Sequence, residues 1–223
     1  MTLQDQLDAF KADFRAGRPP YNAPAWMHPL MDRATNELLA SGKAKRALVV
    51  GDRAPEFVLS DQNGYVVSSA ELLSTGPLIV SFYRGAWCPY SSLEQRALQQ
   101  ALPAFYAFGA NLVSISPQNR ANSLKAARLN ELEFPLLTDP GNEVASAFGL
   151  CYVLPAYLIE LFLLLKTDLT VINDDGRWTL PMFASYVIAP DSEIIYAAVD
   201  ADYTRRPEPT EMLPVLAGSR HRW

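Results

Sequence analysis

Residues 77–91 read PLIVSFYRGAWCPYS, an apolar run that leads into a glycine, a cysteine and a proline. The run over residues 78–83 has the length and composition of a buried strand. Gly85 turns the chain, and Pro89 suits the first residue of a helix, where its missing N–H and fixed φ cost nothing. The sequence therefore predicts that Cys88 lies between the end of a buried strand and the start of a helix.

The helix predicted after this proline covers residues 90–102 and has an apolar face at helical spacing. Unpaired N–H groups and the helix macrodipole make its N-terminus electropositive. That environment favours the thiolate of Cys88, which is the nucleophilic form of cysteine. Arg84 precedes Cys88 in the same turn and would add positive potential. Cys88 is therefore the main candidate catalytic residue.

Strands and helices alternate through the middle of the chain, which predicts parallel strands joined by right-handed crossovers. Residues 183–188 and 193–199 form a further predicted pair, antiparallel across a turn. We therefore predict an α/β fold with a central mixed β-sheet flanked by helices. Ligands in such sheets collect at the carboxyl ends of the strands, where Cys88 is expected. Residues 151–165 are predicted to be mostly helical, and residues 166–177 irregular.

The N-terminal part of the chain is predicted to be a helical extension. Residues 2–15 have apolar side chains on one side of a helix, and residues 26–41 form a second helix after a loop rich in proline and glycine. We expect these helices to pack on the core or on a partner subunit. The predicted organisation is an extension over residues 1–46, one domain over residues 47–216 and a tail over residues 217–223.

Composition excludes several classes of function. The 223 residues are 49% hydrophobic and 19% charged, as in a globular protein, and the net charge of −5 gives no electrostatic reason to bind nucleic acid. Two cysteines cannot build a disulfide scaffold, which favours a reducing cytoplasm. The apolar segment 157–165 is too short to span a membrane. Neither His28 nor His221 has neighbours that would suggest a metal site or a Ser-His-Asp triad.

The segment FYRGAWCPY, with three further motifs in order, resembles the peroxiredoxin-like branch of the alkyl hydroperoxide reductase/thiol-specific antioxidant (AhpC/TSA) family. The other motifs are GDRAPEF at residues 51–57, FPLLTDP at 134–140 and DYTRR at 202–206. The resemblance implies a thioredoxin-like fold and a thiol peroxidase or oxidoreductase with antioxidant activity. It implies no cofactor and no metal.

The resemblance also implies roles for particular residues. Cys88 would attack hydrogen peroxide or an organic hydroperoxide and become a sulfenic acid. Arg84, Arg205 and the Trp87 indole are candidate donors to the oxygen that leaves. Cys151 or an external thiol would then restore Cys88. The partners implied are a peroxide or other small substrate and a reductant that is a small thiol or a thioredoxin-type protein; a homodimer is compatible with the family.

Ser91 departs from the family pattern FYRGxWCPYC, which has a second cysteine there. In one register Cys88 is the attacking thiol and the resolving partner is lost, although the Ser91 hydroxyl can still donate to the thiolate. In the other register, that of Thr-x-x-Cys peroxiredoxins, the peroxide-reacting cysteine belongs at position 91 and Cys88 takes the threonine place. The first register is favoured because Trp87-Cys88-Pro89 looks like the thioredoxin motif. A serine introduced in place of a cysteine would also explain this position.

Phe183 is a second departure, because thioredoxin folds usually place a cis-proline there, facing the cysteine. This substitution and Ser91 motivate an alternative hypothesis, a divergent member without a dithiol cycle that binds or transforms an apolar small molecule. Such a protein would hold its ligand in a pocket lined by Trp87, Tyr90 and Phe183.

Overall fold

The computed structural model describes residues 1–219, and its main sheet places the predicted central strand in the middle of the molecule. The helices are α1 (Leu3–Arg15), α2 (His28–Ala40), α3 (Ser69–Thr75), α4 (Pro89–Ala107), α5 (Arg120–Leu129), α6 (Glu143–Ala147), α7 (Ala156–Leu164), α8 (Leu169–Asn173) and α9 (Leu213–Ser219). The strands are β1 (Val58–Ser60), β2 (Val66–Ser68), β3 (Leu78–Phe82), β4 (Asn111–Ser116), β5 (Leu136–Thr138), β6 (Cys151–Val153), β7 (Thr179–Pro181), β8 (Phe183–Ile188) and β9 (Ile194–Asp200).

The main sheet has seven strands in the order β2-β1-β5-β4-β3-β8-β9. β3 pairs with β4 in parallel and with β8 in antiparallel orientation, so the sheet is mixed, as predicted. Every residue of β3 is buried, which explains why its sequence is apolar nearly throughout instead of alternating. The central strand β3 therefore ends a few residues before Cys88.

The N-terminal extension packs on the core, which is one of the two positions predicted for it. Leu3 and Leu7 of α1 are buried against the start of α4. The Leu3 N–H donates to the Glu208 carboxylate, and the Gln4 side chain accepts from the Arg206 N–H at 3.1 Å. α2 packs against α7. The boundary of the extension at residue 46 stays a prediction.

The prediction for residues 151–177 was wrong in detail. Cys151–Val153 form β6, which pairs with β7, and a helix starts only at Ala156. Proline explains the late start, because Pro155 disfavours helical backbone at the residue before it. The segment expected to be irregular contains α8, whose first turn is capped by the Asp168 carboxylate. His221 and the last residues of the predicted tail lie outside the described residues.

Candidate active site

The turn between β3 and α4 is held by one glycine and one buried amide. Gly85 has a φ of +135°, and a Cβ added there would lie 2.7 Å from the Trp87 Nε1. The Gln118 side chain accepts from the Ala86 N–H at 2.9 Å and donates to the Tyr83 hydroxyl at 2.9 Å. The backbone that presents the cysteine is therefore fixed on both sides.

Cys88 is the N-cap residue of α4, with extended backbone before Pro89. It is free and only 2% exposed, and Leu3, Leu7 and Tyr90 pack around it. The same residue lines a cavity of about 630 Å³, so its burial does not seal it from small molecules. The predicted position of Cys88, between the end of a buried strand and the start of a helix, is what the structure shows.

The cavity lies between the cysteine turn, the N-terminal helices and α7. Its wall is mostly apolar and aromatic, and its volume falls in the range of roughly 300–1,000 Å³ that is usual for small-molecule sites. The residues that line it include Phe10, Phe14, Met27, Met31, Ala34, Arg84, Trp87, Cys88, Tyr90, Tyr152, Leu158, Phe162 and Tyr203. Much of this wall comes from α1 and α2, which sequence reasoning did not connect with the site.

Arg84 is 5% exposed and lies among aromatic rings instead of carboxylates. Its Cζ is 4.8 Å from the centroid of Trp87, 4.6 Å from that of Tyr203 and 5.8 Å from that of Phe162. In the part of the chain that the structure describes, no ion pair or side-chain hydrogen bond reaches its guanidinium, and its Nε is buried without a partner. Burial opposes its charge, but interaction with Tyr152 and Cys88 leaves the pKa of Arg84 raised.

Three phenols surround this arginine and stay protonated at neutral pH. Burial raises the pKa of Tyr203 to about 12, although Arg84 lowers it. Burial likewise raises the pKa of Tyr90 and of Tyr152. Beside Cys88 the cavity therefore offers the positive charge of Arg84, and the neutral hydroxyls around it can donate hydrogen bonds.

Ser91 occupies the third position of α4 and is fully buried, with no hydrogen-bond partner for its Oγ. It is not among the cavity residues. Three residues later on the same helical face, Glu94 forms a buried ion pair with Arg206, with Oε2 and Nε 2.9 Å apart. Burial raises the pKa of Glu94, and Arg206 opposes that shift. Cys88 and Ser91 thus stand in different surroundings, the first apolar and accessible, the second closed.

Two candidate residues lie elsewhere than expected. Arg205 is exposed, makes a loose pair with Asp202 at 3.9 Å and does not line the cavity. The next residue, Arg206, turns inward instead, because the loop after β9 alternates between outward and inward side chains. Phe183 is buried in β8 under Arg206, whose Cζ lies 4.0 Å from its ring centroid, so it is not part of the cavity wall.

Cys151 is half-buried in β6 and does not line the cavity either. It lies beside Tyr152, whose pKa is raised mainly by burial, lowered by Arg84 and raised further by interaction with both cysteines. Sequence reasoning missed Tyr152, Tyr203 and Gln118, which become neighbours of the site only through folding.

Among residues 1–219 no cluster of histidine, cysteine or acidic side chains could hold a metal ion. No helix in that part of the chain is long and apolar enough to cross a membrane.

Comparison with known proteins places the cysteine turn in a family. The sequence model of the AhpC/TSA family matches residues 50–197. A Mycobacterium tuberculosis protein classed as a peroxiredoxin is 36% identical over 102 residues, which are 46% of this chain and 64% of that protein. Peroxiredoxin Q of Triticum aestivum chloroplasts is 28% identical over 138 residues, 62% of this chain and 61% of that protein. The chain thus spans less than two thirds of these relatives.

Solved structures confirm the thioredoxin-like fold. The crystal structure of the peroxidoxin BcpB from Mycobacterium tuberculosis superposes with a TM-score of 0.62 and 23% identity, covering 78% of this chain and 99% of that one. A Xylella fastidiosa PrxQ mutant superposes with a TM-score of 0.58 and 16% identity, covering 78% and 96%. Two thirds of the sequence match the family model, and the sheet that carries the cysteine turn is the one found in peroxiredoxin structures. The chain therefore belongs to the AhpC/TSA family.

Proposed function

We propose that this protein is a thiol-dependent peroxidase of the peroxiredoxin type, with Cys88 as its nucleophile. The observation that carries the proposal is that Cys88, at the N-terminus of α4, faces a cavity together with the unpaired guanidinium of Arg84. Family membership does not favour the alternative of a member without thiol chemistry.

The proposed reaction starts from the thiolate, which the helix N-terminus and Arg84 stabilise. The thiolate sulfur attacks one oxygen of the hydroperoxide, an S–O bond forms and the O–O bond breaks. The sulfur is oxidised to a sulfenic acid, and the other oxygen leaves as an alkoxide or hydroxide. Arg84 and the neutral phenols can stabilise that developing charge until water protonates it.

A thiol must then reduce the sulfenic acid. One thiol condenses with it to form a disulfide and water, and a second thiol releases Cys88 by exchange. Helix α1 covers Cys88 and Cys151 lies outside the cavity, so we propose a small thiol as the first reductant. A thioredoxin-type reductant would require α1 to move. The cytoplasmic location and the homodimer stay predictions.

The test is oxidation by peroxide followed by mass spectrometry of peptides. Equimolar hydrogen peroxide or cumene hydroperoxide should add one oxygen to Cys88, trapped by dimedone. The Cys88→Ala variant should lose this product, and the Cys151→Ala variant should retain it. Unmodified Cys88 in a folded protein after a modest excess of either peroxide would contradict the proposal.

A further inference from the structure

We propose that the cavity over Cys88 binds an amphiphilic carboxylate, with the carboxylate on Arg84 and the acyl chain between α1, α2 and α7. This goes beyond peroxidase chemistry, because it assigns a ligand class to the cavity and gives α1 and α2, which precede the segment matched by the family model, a part in binding it. It stands on the charge inside the cavity and on the composition of the wall.

The head-group position follows from Arg84. A guanidinium carries five N–H donors and cannot lose its charge, yet this one is 5% exposed, its Nε is buried without a partner, and it has no anionic partner within the described residues. The Trp87 Nε1 beside it is also buried without an acceptor. A carboxylate supplies two oxygens that match the guanidinium fork and leaves lone pairs for a third donor.

The tail position follows from the rest of the wall. Apart from Arg84, the charged residues that line the cavity are Glu37, which is exposed, and Lys43, which is half-buried. Glu37 is already bonded, accepting from the Tyr157 hydroxyl at 2.6 Å and from the Arg33 Nε at 2.7 Å. The hydroxyl side chains of Thr35, Ser41 and Thr167 also line the cavity, and the rest of its surface is aliphatic, aromatic or sulfur-containing. A surface that is mostly apolar favours an alkyl chain over a sugar, a nucleotide or a peptide.

Several residues of the proposed acyl-chain site lie outside the part of the chain that matches the family model. Phe10, Phe14, Met27 and Met31 all precede residue 50, where the match to the family model begins. Methionine and phenylalanine side chains adapt well to flexible apolar ligands. The helical extension therefore adds an apolar wall to the cavity that begins at the cysteine turn.

Binding can be measured without peroxide, which keeps this inference distinct from the proposed function. Dodecanoate, dodecanol and acetate would be titrated into the full-length protein by calorimetry. The rate of Cys88 alkylation by iodoacetamide would be followed in parallel, with Cys151 as the internal control. We expect dodecanoate to bind more tightly than both other probes and to slow alkylation of Cys88 but not of Cys151.

The Arg84→Gln variant should weaken dodecanoate binding by roughly tenfold to a hundredfold, the usual effect of losing a charge-assisted hydrogen bond, and leave dodecanol binding unchanged. Arg205→Gln is the matched control and should have no effect. Because Arg84→Gln can affect folding, Ala34→Phe tests the tail end separately and should weaken dodecanoate but not butanoate binding. Equal affinity of the wild type for dodecanoate and dodecanol would overturn the head-group assignment. Absence of dodecanoate binding, or equal loss of Cys151 reactivity, would overturn the site.

Discussion

Replacement of Gly85 by alanine should destabilise the protein through the turn that presents Cys88. The new Cβ would lie 2.7 Å from the Trp87 Nε1 and 3.2 Å from the Gln118 Oε1, at a φ of +135°. Trp87 cannot move aside freely, because its ring packs on Arg84 and on Phe162. Overpacking costs about 1–3 kcal/mol. A side chain in this backbone region costs a further 1–3 kcal/mol or so. The free energy of unfolding should therefore fall by about 4 kcal/mol.

Gly42→Ala is the matched control, because Gly42 also has a positive φ, of +66°, but a Cβ there meets nothing within 4 Å. That variant should lose only about 1–2 kcal/mol. Urea unfolding followed by far-UV circular dichroism gives both values, and iodoacetamide reactivity reports whether Cys88 has shifted. If the two variants lose the same free energy, the reasoning about the crowded turn is refuted.

Three further predictions concern the covering of Cys88 by α1, the choice between positions 88 and 91 for the reactive thiol, and the stability of the protein at alkaline pH. Leu7→Ala removes a fully buried side chain over Cys88 and should cost about 2–5 kcal/mol while speeding alkylation of Cys88; unchanged alkylation would show that α1 is no barrier. Ser91→Cys should give, after peroxide, a disulfide between Cys88 and the introduced thiol, whereas oxygen trapped on the introduced thiol alone would favour the other register. Burial raises the pKa of Tyr203 from 10.0 to about 12 on folding, so the folded state holds the phenol proton more tightly than the unfolded state does. The free energy of unfolding should therefore fall as the pH rises from 10 to 12. Tyr203→Phe should reduce the loss of stability measured by urea unfolding between these pH values, and Tyr65→Phe, at an exposed position, should not.

Local sequence was sufficient to predict the turn around Cys88, because a buried strand, a glycine and an N-terminal proline each restrict the backbone independently. The mixed sheet was equally predictable from alternating strands and helices with an antiparallel pair at the end. The family comparison confirms the AhpC/TSA assignment, and its match over residues 50–197 contains three of the four motifs on which the assignment rested.

The surroundings of the cysteine were not predictable in the same way. Arg205 and Arg206 are adjacent, and only the tertiary path of the loop decides which one turns inward to Glu94. Tyr152 reaches the cavity because Pro155 delays α7 and leaves room for a short strand, a consequence that apolar periodicity does not show. The cavity is lined by segments that are far apart in the chain, and no local sequence pattern predicts that they meet.

The loop over residues 204–208 contacts both α1, which covers Cys88, and α4, which begins at Cys88. On one side it anchors α1, through the bonds from Leu3 to Glu208 and from Lys11 to the Thr204 hydroxyl at 3.2 Å. On the other side it supplies Arg206 to Glu94 inside the core. Because both attachments share one short piece of backbone, displacing it would free α1 from its anchor and separate Arg206 from Glu94 at the same time. Access to the sulfur and the charge balance beneath the helix are therefore linked through this one segment.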